Sequence, residues 1–280
     1  MQPNNILEIE GCLRWSGETD RGKVRSNNED SFLGVQFDSR EVRYLGKTGE
    51  GLLANSDYIF AVSDGMGGAL AGEFASRVAV EKITQLLPTS FRHSLTGMSV
   101  GFQDVLTELF EEIHCALLFL GGSYEECFGM GTTLSLCWLT PTAVYFAHIG
   151  DSRIYYLPAH ASKIRQLTHD DTHVGWLLRN GKISEWEARV HPHRNSLQKV
   201  LGAHQQFVDP QLGVVNWEPG DRFLLCTDGL VDGLFDNQLT ELLRLPAPLE
   251  ASGTSAARLV RASVDQAGKD NTTAVIIEMA

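Results

Sequence analysis

Apolar residues recur along residues 102–120 at the three-and-four spacing of one helical face: Phe102, Val105, Leu106, Leu109, Phe110, Ile113, Leu117 and Leu120. Gly121-Gly122 closes the pattern, which predicts an amphipathic helix with its stripe turned to a core. Helices are also predicted over 73–87, stopped by Pro88, and over 254–267, capped by Gly268. Elsewhere the period shortens. Tyr58-Ile59-Phe60-Ala61-Val62-Ser63 and Arg222-Phe223-Leu224-Leu225-Cys226 are short, almost continuous apolar runs, as expected of strands buried on both faces. Segments 132–139, 143–149 and 153–157 are joined by tight links and predict antiparallel neighbours. Further strands are expected at 11–15, 30–35 and 273–277. Between them, 20–29 reads as a polar turn-rich loop, 38–57 as an exposed loop or hairpin excursion, and 173–201 as a polar, helical surface segment. No repeat, low-complexity tract or long linker interrupts the chain. The pattern therefore predicts one domain over 1–280, of class α+β, with sheet layers covered by helices.

Composition narrows the function more than the fold. The 280 residues carry 23 Lys+Arg against 35 Asp+Glu, a net charge of −12, which argues against nonspecific binding to nucleic acid or to an anionic membrane. The first residues have neither a basic nor an apolar region of a signal peptide, and no apolar stretch is long enough to span a bilayer. Five scattered cysteines without a CxxC pair suggest free thiols in a reducing compartment. A cytoplasmic location is expected.

The position of the acids says more than their number. Glu29 and Asp30 stand where one strand begins, Asp64 where one ends, Asp151 in a turn between two, Asp228 after another, and Asp270 just before the last. Strand ends of a packed sheet share a rim, so these six carboxylates can converge. Carboxylates held together repel unless protons or cations neutralise them, and donor sets without His or Cys suit Mg²⁺ or Mn²⁺ better than Zn²⁺. Asp-Gly is also an ordinary turn dipeptide, and it occurs three times, at Asp64-Gly65, Asp228-Gly229 and Asp232-Gly233.

Taken in order, Arg25-Ser26-Asn27-Asn28-Glu29-Asp30, Ser63-Asp64-Gly65-Met66-Gly67-Gly68, Gly131-Thr132-Thr133, His148-Ile149-Gly150-Asp151-Ser152-Arg153, Thr227-Asp228-Gly229-Leu230 and Asp270-Asn271 form one series. The series resembles the bacterial branch of the PPM/PP2C family of metal-dependent Ser/Thr protein phosphatases, over about residues 13–278. The resemblance implies an αββα sandwich of two antiparallel β-sheets flanked by helices, with a small helical flap at about 172–201. It implies that Asp64 bridges two metals and that Gly65 offers its carbonyl to one of them. Asp228 and Asp270 would be direct ligands of the other. Glu29 and Asp30 would hold metal-bound waters, and Asp151, with Asp228, a third and weaker metal site. Arg25 would clamp the substrate phosphate, for which a guanidinium is well shaped. Asn271 would lie beside the site.

That resemblance implies a Mg²⁺ or Mn²⁺ enzyme, with two ions and in some members a third. Two divalent ions lower the pKa of a shared water, and the resulting hydroxide attacks phosphorus in line, so no phosphoenzyme and no Cys or Ser nucleophile is expected. Two departures stand out. Met66 occupies the place where eukaryotic members often have His, which leaves the proton donor to the leaving group unassigned. Leu167-Thr168-His169-Asp170-Asp171 ends in Asp-Asp where the bacterial pattern usually ends in Asp-His. His169, His173, His191 and His193 are expected to be surface or loop residues of the flap region rather than acids. Segment 36–57 looks longer than in compact bacterial members.

The expected function is hydrolysis of phosphoserine and phosphothreonine on proteins, with substrates that are targets of a Ser/Thr kinase in bacterial signalling, by a monomer. The alternatives are a catalytically weak phosphoprotein-binding regulatory module of the same fold, and a phosphatase of other phosphoesters, including phospho-His or phospho-Arg.

Overall fold

A computed structural model describes residues 11–38, 41–54, 56–95, 101–204, 206–246 and 253–280. The strands in chain order are β1 (Cys12–Asp20), β2 (Asp30–Phe37), β3 (Val42–Tyr44), β4 (Thr48–Leu52), β5 (Asp57–Met66), β6 (Gly131–Thr132), β7 (Leu134–Leu139), β8 (Ala143–Ile149), β9 (Arg153–Leu157), β10 (Arg165–Gln166), β11 (Gln211–Asn216), β12 (Arg222–Cys226) and β13 (Thr272–Met279). The helices are α1 (Ala69–Leu95), α2 (Phe102–Ser123), α3 (His173–Arg179), α4 (Glu185–Val190), α5 (Asp228–Gly233), α6 (Asp236–Arg244) and α7 (Ser255–Gln266). One sheet has the order β10-β9-β12-β13-β1-β4 and the other β11-β8-β7-β5-β2-β3, with β6 added to β5. The pairings are antiparallel.

Side-chain alternation explains how continuous apolar runs become strands. On β5, Tyr58, Phe60 and Val62 point between the sheets, where they meet Phe223 and Leu225 of β12 and Val275 and Ile277 of β13. Ile59 and Ala61 point the other way, onto Ala75, Val78, Val105, Phe110 and Ile113 of α1 and α2. Leu224, Cys226, Ala274 and Ile276 meet Leu230, Leu239, Leu259 and Val260 of α5 to α7. Three apolar layers thus separate four structural ones, giving the expected αββα sandwich. Each fully buried aliphatic or aromatic side chain contributes roughly 1.5–3 kcal/mol.

Several boundaries differ from the sequence-based expectation. α1 starts at Ala69, immediately after Gly67-Gly68, and continues past Pro88, where the missing amide removes one ladder hydrogen bond without ending the helix. α2 runs through Gly121-Gly122 to Ser123. β1 extends to Asp20, because its polar half still pairs with Thr272–Val275. Asp228-Gly229, expected as a strand-ending turn, opens α5, and α6 and β11 are additional to the expected elements.

The excursion after β2 has a structural task. β3 pairs with β2 in one sheet, and β4 pairs with β1 in the other, so a single short connection crosses the sandwich. Leu45 packs into the inter-sheet core, its amide donates to Gly34 O (2.8 Å), and the Trp15 indole donates to Gly46 O (3.0 Å). The five cysteines are free. Among the described residues, no helix is long and apolar enough to cross a membrane.

Candidate metal centre

The rim where β2, β5, β8, β9, β12 and β13 begin or end bears a cleft of about 370 Å³. Arg25, Glu29, Asp64, Gly65, Asp151, Asp228 and Asp270 line it. The seven come from five segments far apart in sequence: the loop of Arg25 and Glu29, the strand end of Asp64 and Gly65, and the positions of Asp151, Asp228 and Asp270. Sheet register brings in one more acid: Asp30 on β2 stands opposite Asp64 on β5. Like charges at facing positions of an antiparallel pair destabilise it unless something neutralises them.

The main chain of Asp64 is held firmly. Its N–H donates to Thr133 Oγ1 (3.0 Å), and its carbonyl accepts from Thr132 Oγ1 (2.7 Å) and from the Thr133 amide (2.9 Å). The Ser63 hydroxyl donates to Thr133 O (2.7 Å). This accounts for the Gly131-Thr132-Thr133 motif. Gly65 is required by space, since a Cβ there would collide with the backbone carbonyl of Gly72.

Asp30 lies just beneath the cleft, 7% exposed. Its Oδ2 accepts hydroxyls from Thr227 (2.8 Å) and Thr273 (2.7 Å), which ties β2 to both β12 and β13. Neither threonine was legible as a site residue, although Thr227 directly precedes Asp228-Gly229. Asn271, 4% exposed, takes a definite position behind the cleft. Its Oδ1 accepts the Glu29 amide (2.8 Å), and its Nδ2 donates to Arg21 O (3.0 Å) and Asn27 O (2.8 Å). It thereby staples the loop that carries Arg25 to the start of β13. Arg25 itself is half-exposed at the mouth and donates from Nη2 to Asp270 Oδ2 (2.7 Å).

The electrostatics are those of a crowded acidic cluster, with Arg25 paired to Asp270 at its mouth. Burial pushes the Asp64 carboxyl well above the usual range, and the charges of Asp30, Asp228, Asp151 and Asp270 push it further. Asp228 is raised in the same way, by burial and then by Asp151, Asp270, Asp232 and Asp30. Burial lifts Asp151 to about 7, and Asp30 to about 7 against the opposing hydrogen bonds from Thr273 and Thr227. Burial also raises Glu29.

Two buried carboxylate oxygens, Asp30 Oδ1 and Asp228 Oδ1, have no hydrogen-bond partner. An unsatisfied buried oxygen costs roughly 1–3 kcal/mol, more when charged, so such atoms call for a ligand. The donor set is all oxygen, which fits hard divalent cations. Among the described residues, no three His, Cys, Asp or Glu side chains are gathered tightly enough to hold an ion as they stand. The carboxylates surround a space rather than converge on a point.

A second cavity, of about 300 Å³, opens off the cleft and shares Asp151, Asn195 and Asp228 with it. Its roof is the 172–201 segment, whose helices are capped by Thr172 and by a Ser184–Glu187 capping box. The segment is tied down by Arg194, which donates two bonds to Asp232 (3.0 and 2.7 Å). Arg153 grips Asp170 in the same bidentate manner (2.8 and 2.7 Å). None of His169, His173, His191 and His193 lines the cleft. Asp171, in the place of the usual His, is buried at 7% exposure and accepts the Gly150 amide.

Comparison with known proteins agrees with this geometry. The family model described as "Protein phosphatase 2C" matches residues 51–264. The chain is 33% identical over 270 residues to the serine/threonine protein phosphatase PstP of Mycobacterium tuberculosis, covering 95% of this chain and 45% of that one. The chain thus spans about half the length of that relative. It is 31% identical over 261 residues to the serine/threonine phosphatase stp of Listeria monocytogenes, covering 93% of each. Among solved structures, the catalytic domain of PstP in complex with two manganese ions superposes with a TM-score of 0.74 at 30% identity, covering 96% of this chain and 99% of that one.

Proposed function

Because this chain belongs to the protein phosphatase 2C family, we propose that it hydrolyses phosphoserine and phosphothreonine on proteins, with Mg²⁺ or Mn²⁺ held in the acidic cleft. The observation that carries the reading is that Asp64, Asp228 and Asp270 line one cleft with Arg25, and that a buried oxygen of Asp228 there and one of Asp30 beneath it have no hydrogen-bond partner. Asp64 and the Gly65 carbonyl would hold one cation, and Asp64, Asp228 and Asp270 the other. Glu29 and Asp30 would orient coordinated water, and Asp151 with Asp228 would take a third ion. When bound, the cations supply Lewis acidity that activates water as the nucleophile and offsets charge on the phosphate.

The chain's own residues do the rest. Arg25 reaches the mouth from a loop stapled by Asn271, and its guanidinium can exchange Asp270 for two phosphate oxygens. The threonines around Asp64 fix its backbone, so its carboxylate can be aimed without reorganisation. No phosphoenzyme is expected, because water is the nucleophile in this reading; Ser26 and Thr133 line the cleft, and none of the five cysteines does. The flap cavity beside the cleft gives the peptide around the phosphoresidue a place to lie. The substrates would be phosphoproteins made by a Ser/Thr kinase.

The test is release of phosphate from a phosphothreonine peptide by the purified protein with Mn²⁺. Turnover that is abolished by chelator and by Asp64→Ala supports the reading. A metal-loaded protein that is inert, or whose turnover survives Asp64→Ala, overturns it.

A further inference from the structure

The Asp-Asp departure from the expected Asp-His pattern lands on a position with unusual connections. Asp171 and Gly150 are joined in both directions: Asp171 Oδ2 accepts the Gly150 amide (3.0 Å), and the Asp171 amide donates to Gly150 O (2.7 Å). The same carbonyl lies 3.0 Å from His148 Nε2, whose other nitrogen pairs with Ser135 Oγ (2.8 Å). Gly150 has φ +114°, a conformation that only glycine takes easily, and a Cβ there would strike Thr133. Gly150 is thus pinned through the peptide on either side of it, at its own amide and its own carbonyl, and Asp151 is the next residue.

Asp171 also closes the flap. Its carbonyl accepts the Gln198 amide (2.7 Å), and its neighbour Thr172 bridges to Leu197, so the departing and returning ends of the flap meet here. The remaining carboxylate oxygen, Oδ1, accepts Gln211 Nε2 (3.2 Å), with His169 Nδ1 3.7 Å away. One residue therefore links the flap base, through its backbone, to the turn that carries Asp151, through its side chain and amide.

We propose that Asp171 is a positioning residue for the third, weakest cation site, setting Asp151 through the Gly150 peptide and coupling that site to the flap base. This inference rests on the metal-centre reading above. It is specific to the acceptor oxygen that faces Gly150, so the carboxylate's charge matters less than its shape.

Calorimetric Mn²⁺ titration of the full chain tests it, with the Asp151-dependent step identified by Asp151→Ala. Asp171→Ala is expected to weaken that step about tenfold, the low end of what loss of an outer group that orients a metal ligand costs, and to leave the tighter steps within about twofold. Asp171→Asn keeps the acceptor and is expected to restore the step, together with slow exchange of the Gly150 amide measured by NMR. Gln211→Ala, which removes the partner of the other oxygen, should leave the step in place. Should Asp171→Ala fail to fold, Asp171→Glu, which displaces the oxygen while keeping the charge, is read in its place.

The proposal is overturned if the weak step is unchanged, if all steps weaken equally, or if Asp171→Asn behaves as Asp171→Ala does. A wild-type chain without an Asp151-dependent step overturns it as well. Dependence of turnover on Asp64 is a separate result, so failure here is distinguishable from failure of the phosphatase reading.

Discussion

Arg25 Nη2 lies 2.7 Å from Asp270 Oδ2, which pairs the residue expected to clamp phosphate with one expected to ligate a cation. The two are 245 residues apart in sequence. On the proposed reading, a guanidinium at this position would compete with a cation for Asp270 and be offered to the phosphate once the cation takes over.

Arg25→Ala should therefore weaken phosphopeptide binding without weakening Mn²⁺ binding. Hydrogen bonds to charged groups are worth about 1.5–3 kcal/mol, so kcat/KM should fall roughly 10- to 100-fold. Steady-state kinetics beside calorimetric Mn²⁺ titration checks both halves. A parallel loss of metal affinity would contradict the competition.

Removing the metal should make stability depend on pH. Burial raises the Asp30 and Asp151 carboxyls to about 7 in the fold, well above the ordinary carboxylate range, so the folded chain binds these protons more tightly than the unfolded chain. The stabilisation from protonation is complete below the unfolded value and is lost as pH rises through about 7. In chelator, the thermal midpoint should fall as pH rises from about 4 to about 7 and level off above that, and Mn²⁺ should recover it at the higher pH by binding only the folded chain. Differential scanning fluorimetry across pH, with and without Mn²⁺, reads this directly.

Asn271→Ala should act at a distance. It leaves the Glu29 amide and the Arg21 and Asn27 carbonyls without their amide partner, at a cost of about 1–3 kcal/mol. Because the loop so released carries Arg25, KM for a phosphopeptide should rise more than kcat falls. Urea denaturation and kinetics on the same preparation separate the two effects.

Arg153→Ala should be the most destabilising of these changes. It strands Asp170, whose two oxygens Arg153 holds, beneath the flap. Breaking such a pair from one side costs about 3–5 kcal/mol. The loss is measurable as a lower urea midpoint with an unchanged m-value.

Much of the architecture could be read locally. The stripe of α2 from Phe102 to Leu120 and the unbroken apolar runs of β5 and β12 state their environment within a few residues of chain. The acids at strand ends were legible for the same reason, since a carboxylate that interrupts an apolar run marks where the strand meets solvent or a site. Segment 36–57 was not readable, because crossing from β2 of one sheet to β1 of the other is a property of both sheets. The opening of α5 at Asp228 was hidden because Asp-Gly serves a turn and a helix start equally well.

What the sequence determined alone is the inventory: which acids, arginine and glycines stand at strand ends, and in what order, because side-chain period and turn chemistry are encoded over a handful of residues. Only the tertiary structure decided who meets whom. The register that sets Asp30 against Asp64, the Thr227 and Thr273 hydroxyls on Asp30, the Asn271 staple and the Asp171–Gly150 clasp all join positions from different elements. Such meetings are fixed by sheet register and core packing, which balance the burial of the whole chain at once, and no local window contains them.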